Sequence, residues 1–194
     1  MTSSYERPYV LSYRRDNIEE DRRLDLQHEA IKHAILDGQL IHPSVPITEL
    51  KGAIADLGCG TGVWLDDVAN TFFTGEHTMK GESPMLIGFD MNAHAFNPNS
   101  ATGVQLVEHD CTETFDTRYI GKFDLVNIRG LAFALPRESF SRLVENAVQL
   151  LRPGGYLQWL ETEAQLWKAY PDKAEISEIL NAINVERQER DLIP

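Results

Sequence analysis

Short apolar runs alternate along this chain with longer stretches whose apolar residues recur at helical spacing. The runs fall within residues 53–57, 85–89, 104–108, 121–129 and 156–160, and turn-forming residues bound them. Runs of that length predict strands, and those that are apolar on both faces predict buried parallel ones. Between them, Trp64, Leu65, Val68 and Phe72 line one helical face over residues 61–72. Phe140, Leu143, Val144, Ala147 and Leu151 line another after Pro136, with Pro153-Gly154-Gly155 as its stop. Leu24, His28, Ile31 and Ile35 predict an earlier helix over residues 18–36, with acids in its first turn and Gly38 beyond its end. The last periodic stretch, residues 171–191, sets Ile176, Ile179, Leu180 and Ile183 on one face. Strand and helix in alternation imply an α/β fold, a doubly wound and mostly parallel sheet.

The remaining segments are connectors. Residues 1–17, with Tyr5, Tyr9, Tyr13 and Arg14-Arg15, carry no clear period. Ile41-His42-Pro43-Ser44-Val45-Pro46 holds two prolines and reads as a stiff extended link. Residues 74–84 form a polar loop, and residues 92–103 are too rich in Asn and Pro for a long helix. A length of 194 residues with 42% hydrophobic content suits one globular domain with a substantial core. The net charge of −12 leaves no basic patch, which argues against nucleic acid or an anionic membrane as partner. No apolar run reaches the ~18 residues of a membrane helix. Cys59 and Cys111 are the only cysteines, and both fall in expected ligand loops. That usage argues against a disulfide framework and for a reducing, cytoplasmic interior.

The candidate chemistry centres on Ile54-Ala55-Asp56-Leu57-Gly58-Cys59-Gly60-Thr61-Gly62-Val63-Trp64. Gly58, Gly60 and Gly62 lack a Cβ, so the backbone can turn sharply there and lie against a ligand. The helix that follows offers free N–H groups and its positive end. A plain tight turn is the alternative. Met85-Leu86-Ile87-Gly88-Phe89-Asp90 ends on an acid, and a βαβ nucleotide fold places its ribose ligand at the end of its second strand. A strand-end cap is the alternative for Asp90. Arg129 closes the fourth strand, again at the end where open α/β sheets bind ligands.

The turn is G-x-G-x-G, not the dinucleotide G-x-G-x-x-G, and the chain has no G-x-x-x-x-G-K-[ST]. Asp56-Leu57-Gly58-Cys59-Gly60-Thr61-Gly62 resembles the first motif of class I S-adenosylmethionine (SAM)-dependent methyltransferases. Four further stretches resemble fungal small-molecule methyltransferases within that class. Arg23-Leu24-Asp25-Leu26-Gln27-His28 is similar to their R-L-N-x-Q-H, and residues 41–46 to their H-P-S-x-P linker. Residues 121–129 match F-D-x-V-x-x-R, and residues 150–159 match L-L-x-P-G-G-Y-L-Q-W. The resemblance implies a Rossmann-like cofactor domain over residues 47–170. It implies an N-terminal helical lid and linker over residues 1–46, and a helix over 171–194 that begins a cap region. Such folds normally end in a sixth and seventh strand, and this chain is expected to stop before both.

The resemblance also implies a SAM site made of Asp56, Gly58, Cys59, Gly60, Asp90, Met91, Asp110, Cys111 and Arg129. In it Asp90 takes the ribose, and Asp110 accepts from the adenine amine while the Cys111 N–H faces a ring nitrogen. Arg129 pairs with the methionine carboxylate or with an acid of the pocket wall; a solvated Arg, and for Asp110 a turn cap, are the alternatives. Three positions depart from the family: His109 stands where Trp is common, Asn127 where His is frequent, and Leu160 where Asp is often found.

The implied activity is methyl transfer from SAM to a small-molecule S, N or O nucleophile, in secondary metabolism. The protein's share of such a reaction is alignment and desolvation. No catalytic residue is identified; His109 and Glu161 are candidate bases only through their places at strand ends. No metal cluster stands at ligand spacing, since His28 and His33 are five apart. The alternative is a catalytically weak SAM-binding regulatory or scaffold protein. A nicotinamide oxidoreductase is disfavoured by the glycine spacing and by Asp110. A homodimer or a protein partner stays open.

Overall fold

The computed structural model describes residues 18–51, 53–73, 85–132 and 134–161, with helical positions at 178, 181, 182 and 185. The N-terminal residues 1–17, the loop at 74–84 and the apolar face of Ile176, Ile179, Leu180 and Ile183 lie outside the described residues.

Strand β1 (Ala53–Leu57) runs through the middle of a five-stranded sheet. Every pairing is parallel, and the order is β3-β2-β1-β4-β5. Strand β2 (Met85–Asp90) and strand β4 (Phe123–Arg129) flank β1, with β3 (Val104–Glu108) and β5 (Leu151–Leu160) outside them. The registers set Leu57 beside both Phe89 and Ile128, and Asp90 beside Glu108. The carboxyl ends of four strands therefore finish close to level. Strand order reverses between β1 and β4, and such a switch point opens a crevice at that end of the sheet.

Burial follows strand position. In β1, β2 and β4, Ile54, Leu57, Leu86, Phe89, Leu125 and Ile128 are fully buried, as strands covered on both faces must be. Strand β3 is only partly buried, and β5 is the other edge of the sheet among the described residues. Helices α1 (Ile18–Ala34), α2 (Val63–Phe72) and α3 (Phe140–Leu150) complete the frame. Trp64, Leu65 and Val68 of α2 pack on Ile54, Leu86 and Leu125, together with Leu40, Ile41, Val45 and Leu50 of the linker. The opposite face of the sheet packs Leu57, Phe89, Phe123 and Ile128 against Leu143, Ala147 and Leu150 of α3. Alternate residues of one strand thus serve two cores, as the period of two requires.

Helix ends shift from the sequence expectation for local reasons. Helix α2 begins at Val63 because Gly62 sits at φ +86°, outside helical space. Helix α3 ends at Leu150, and Pro153-Gly154-Gly155 lies instead inside β5, where the pairing with β4 is irregular between Phe123 and Leu125. A proline is tolerated there because it falls in that irregularity, between the paired positions Leu151 and Tyr156. Leu150, not Leu151, consequently fills the core. Helix α1 stops at Ala34, which leaves Ile35 exposed. Glu178, Asn181, Ala182 and Val185 are helical and exposed, within the stretch expected to be helical.

The proline-rich linker is sewn to the sheet. The Trp64 indole and the Gln158 amide both donate to Leu40 O, at 3.1 and 3.0 Å, and the His42 N–H donates to Gln158 Oε1 at 2.8 Å. Asp124, buried on β4, accepts from the Lys51 and Ala53 N–H groups and from Arg152, which fixes the entry to β1. Among the described residues no helix is long and apolar enough to cross a membrane.

Candidate functional site

The glycine turn leaves β1 directly and is tied to β2. Gly58 N–H and Cys59 N–H both donate to Phe89 O, at 2.8 and 3.1 Å. Gly58 and Gly60 have φ +73° and +56°, in the left-handed region that a side chain resists. Gly58 has a second constraint: a Cβ there would lie 2.5 Å from Leu131 Cδ2. The Gly60 N–H donates to Asp90 Oδ2 at 2.9 Å, and the Asn92 N–H to Asp90 Oδ1 at 2.8 Å. Turn and strand-end acid are therefore one unit. Burial raises the Asp90 pKa, and the N–H groups of Asn92, Gly60 and Met91 oppose that rise. Met91 follows, half-buried.

The loop after β3 lies alongside. Asp110 Oδ1 caps the loop by accepting from the Thr112 N–H at 2.9 Å and its hydroxyl at 2.7 Å. Oδ2 of the same carboxylate has no hydrogen bond among the described residues, so capping and ligand binding are compatible. Asn146 on α3 holds the loop from behind by donating to Cys111 O and Glu113 O, both at 2.9 Å. The two cysteine sulfurs turn inward. A Cβ on Gly88 would lie 2.7 Å from Cys59 Sγ, and Cys111 Sγ approaches Phe89 O at 3.8 Å. Burial raises both thiol pKa values, so neither is a thiolate at neutral pH. Only the main chain of these residues is left to face a ligand.

At the β1–β4 crevice, Asp56 is buried and accepts from Asn127 Nδ2 at 2.8 Å. Burial pushes its pKa up to about 7, against the pull of the Arg129 charge and the Asn127 hydrogen bond. Asn127 Oδ1 in turn accepts from Gln158 Nε2 at 2.9 Å, which carries the network to the linker. Arg129 is half-buried and donates from Nη1 to His28 Nδ1 at 3.0 Å.

That last contact comes from α1, which crosses the turn. Leu24 Cδ1 stands 3.2 Å from where a Gly60 Cβ would be, and Thr61 Oγ1 donates to Asp25 Oδ1 at 2.7 Å. His28 Nε2 lies 2.9 Å from Asp67 Oδ2 on α2, and Lys32 Nζ donates to the same oxygen at 2.6 Å. His28, Glu29 and Asp67 bring ligand atoms within 4.8 Å of one another, a grouping that sequence spacing did not suggest. Lys32 also donates to Glu29 at 2.9 Å, so an ammonium already bridges the two carboxylates and disfavours a cation there.

The two residues considered as bases have other environments. Glu161 accepts from the Leu131 and Ala132 N–H groups at 2.8 and 3.1 Å and from the Trp159 indole at 2.9 Å. It is an anchor for the loop after β4. His109 packs against Phe115 with ring centroids 4.2 Å apart, and its Nε2 is buried with no partner among the described residues. Asn92 Oδ1 is likewise buried and unpartnered. Two unsatisfied polar atoms at adjacent strand ends, beside a positive-φ turn and an acid, fit a polar nucleoside ligand. Leu24, Asp25, His28 and Leu131 were not singled out as site residues from the sequence. For Leu24, Asp25 and His28 the one signal was the R-L-D-L-Q-H stretch, which placed the helix without naming its contacts, and Leu131 carried no signal.

A parallel sheet with this order, a G-x-G-x-G turn and an acid ending β2 define a class I methyltransferase fold. A methyltransferase domain family matches residues 54–155, just over half of the chain. The chain belongs to the class I SAM-dependent methyltransferase family, whose cofactor is S-adenosylmethionine. It is similar to methyltransferase grgD of a Penicillium species, 35% identical over 171 residues, which are 86% of this chain and 58% of that protein. It is also similar to N-methyltransferase verN of Clonostachys rogersoniana, 28% identical over 148 residues, 75% of this chain and 48% of that protein. The chain spans about half the length of these curated relatives. Among solved structures, the plantazolicin methyltransferase BpumL in complex with a monoazolic desmethylPZN analog and SAH aligns with TM-score 0.56 and 16% identity. That alignment covers 76% of this chain and 54% of the other, and at such identity the likeness is one of fold.

Proposed function

We propose that this chain binds SAM at the carboxyl edge of β1, β2, β3 and β4 and serves methyl transfer to a small-molecule nucleophile in secondary metabolism. The observation that carries the reading is the Gly60–Asp90 hydrogen bond, which makes the glycine turn and the strand-end acid one ligand cradle. In this reading Asp90 accepts from the ribose hydroxyls, with Met91 beside it. Asp110 Oδ2 accepts from the adenine amine, and the Cys111 main chain faces the ring. The main chain of Gly58, Cys59 and Gly60 lies against the amino-acid end, Asp56 faces its ammonium, and Arg129 takes its carboxylate. Residues 1–46 act as lid and linker, 47–170 as the cofactor domain, and 171–194 as the start of a cap region.

When bound, SAM supplies an activated methyl group on a sulfonium. What the protein adds is positioning and dryness. Leu24 and Leu131, both packed at the glycine turn, exclude water from the reacting end. The carboxyl groups of Asp56 and Asp90 favour a cationic ligand. A general base is not assigned, because Glu161 is committed to backbone and His109 lies at the β3 end of the site. An amine is the first acceptor class to test, because the relative verN is named an N-methyltransferase.

The experiment is incubation of methyl-labelled SAM with small amines, thiols and phenols, with label followed into product. Transfer to any of them supports the reading. Tight SAM binding without transfer to any acceptor favours the regulatory binder instead.

A further inference from the structure

We infer that His28 is a positioning residue that aims Arg129 at an anionic ligand, and that it thereby couples the lid helix to the carboxylate end of the cofactor. The inference deepens the assignment of Arg129 to the SAM carboxylate and rests on it.

Arg129 is always a donor, so His28 Nδ1 must be the acceptor in their 3.0 Å bond. The proton of the neutral ring then sits on Nε2 and is donated to Asp67 at 2.9 Å. One tautomer satisfies both partners, and a protonated ring would turn an N–H toward the guanidinium. His28 is 1% exposed. Among the described residues the charged groups around it are Glu29 and Lys32 on its own helix, Asp67 on α2, and Arg129 on β4 with Asp56 of β1 behind it. Burial holds the imidazole below its ordinary 6.5, the Asp67 hydrogen bond opposes this, and the Arg129 and Lys32 charges add to it. Asp67 stays ionised, because the hydrogen bonds from His28 and Lys32 outweigh its own burial.

Arg129 has an unusual partner set. Its five N–H donors meet no carboxylate within ion-pair distance among the described residues, and its hydrogen bond there goes to a neutral ring. A largely enclosed guanidinium held in place by a neutral acceptor keeps its charge and most of its donors for something else. The Asp67–His28 pair costs the guanidinium none of that charge. It fixes the direction of the guanidinium and leaves its forked face for a carboxylate. Because His28 sits on α1 and Arg129 on β4, 101 positions apart, the contact exists only while α1 lies across the turn.

The test measures binding of S-adenosylhomocysteine (SAH) and of 5′-methylthioadenosine, which lacks the amino-acid carboxylate, by calorimetry from pH 5 to 8. The proteins are the wild type, His28→Phe, His28→Gln and Arg129→Met. Phe keeps the volume of the ring without its nitrogens, whereas Gln keeps one acceptor and one donor that do not titrate. The expected result is a loss of roughly tenfold or more in SAH affinity for His28→Phe and Arg129→Met, the size of one charge-assisted hydrogen bond. Methylthioadenosine affinity stays within twofold, and His28→Gln restores most of the SAH affinity. Wild-type SAH affinity falls at the acid end of that range, where His28 protonates below the ordinary imidazole pKa, and His28→Gln lacks that component; Asp56 titrates in both proteins and cancels in the comparison. Equal losses for both ligands in His28→Phe, or SAH affinity at the wild-type level, would overturn the role of His28. Failure of wild type to bind SAH, or an Arg129→Met variant that binds it normally, would overturn the underlying assignment instead.

Discussion

Gly60 and Asp90 stand 30 positions apart in the chain and share one hydrogen bond, from the Gly60 N–H to Asp90 Oδ2 at 2.9 Å. Substituting Asp90 therefore acts on the turn and on the ligand together. Asp90→Asn keeps an acceptor for one N–H group but removes the charge that favours two ribose hydroxyls. The expected outcome is a folded protein whose SAH affinity falls about ten- to a hundredfold, equivalent to roughly 1.5–3 kcal/mol. Calorimetry checks it, and unchanged affinity counts against the ribose assignment.

Gly60→Val tests the turn itself. A β-branched side chain resists φ +56°, and its Cβ would also press on Leu24 of the lid helix. SAH binding should disappear while far-ultraviolet circular dichroism stays close to that of the wild type. Normal binding by the variant would reduce the turn to a purely structural feature.

Asp56→Asn should show stability traded against binding. The Asp56 pKa is about 7 in the folded protein against an ordinary 3.8 for an exposed aspartate, so the folded state binds the proton more tightly than the unfolded chain. Its burial then costs nothing below about pH 4, costs progressively more between about 4 and 7, and costs most above about 7. The asparagine variant should melt several degrees higher at pH 8 and no higher near pH 4, since about 1 kcal/mol moves a chain of this size by roughly 2–4 °C. SAM affinity should fall at pH 8, because a negative charge facing a cationic ligand is gone. A melting gain equal at both pH values would show that Asp56 is not the titrating group.

What could be read from the sequence was the part that local patterning encodes. The buried runs of β1, β2 and β4 and the acid ending β2 were legible because strand burial and a Gly-rich turn leave marks in adjacent residues. The α3 boundary was not, since Pro153-Gly154-Gly155 looks like a helix stop and serves instead as an irregularity in β5. The contacts of His28 with Asp67 and Arg129 join residues 39 and 101 positions apart, and no periodicity specifies such a network. Glu161 illustrates the same limit from the other side. Its strand-end place suggested chemistry, whereas the folded chain turns it onto the Leu131 and Ala132 N–H groups.

Gln158 offers a test of fold away from the cofactor contacts. It bridges Leu40 O, the His42 N–H and Asn127 Oδ1, so a single residue of β5 holds both the linker and β4. Gln158→Leu fills the volume but strands the His42 N–H and Asn127 Oδ1, while Leu40 O keeps the Trp64 indole, and a loss of about 1–3 kcal/mol in unfolding free energy is expected from urea titration. A stability equal to the wild type would show that the linker is held by its apolar contacts and the Trp64–Leu40 hydrogen bond without Gln158.

The measurement closest to the central claim is titration of the intact chain with SAH, with NAD as the comparison ligand and the Asp90→Asn variant alongside. A single SAH site, no response to NAD, and a weaker site in the variant are expected. Binding of NAD in preference to SAH, or no SAH binding at all by the folded wild-type chain, would contradict the account.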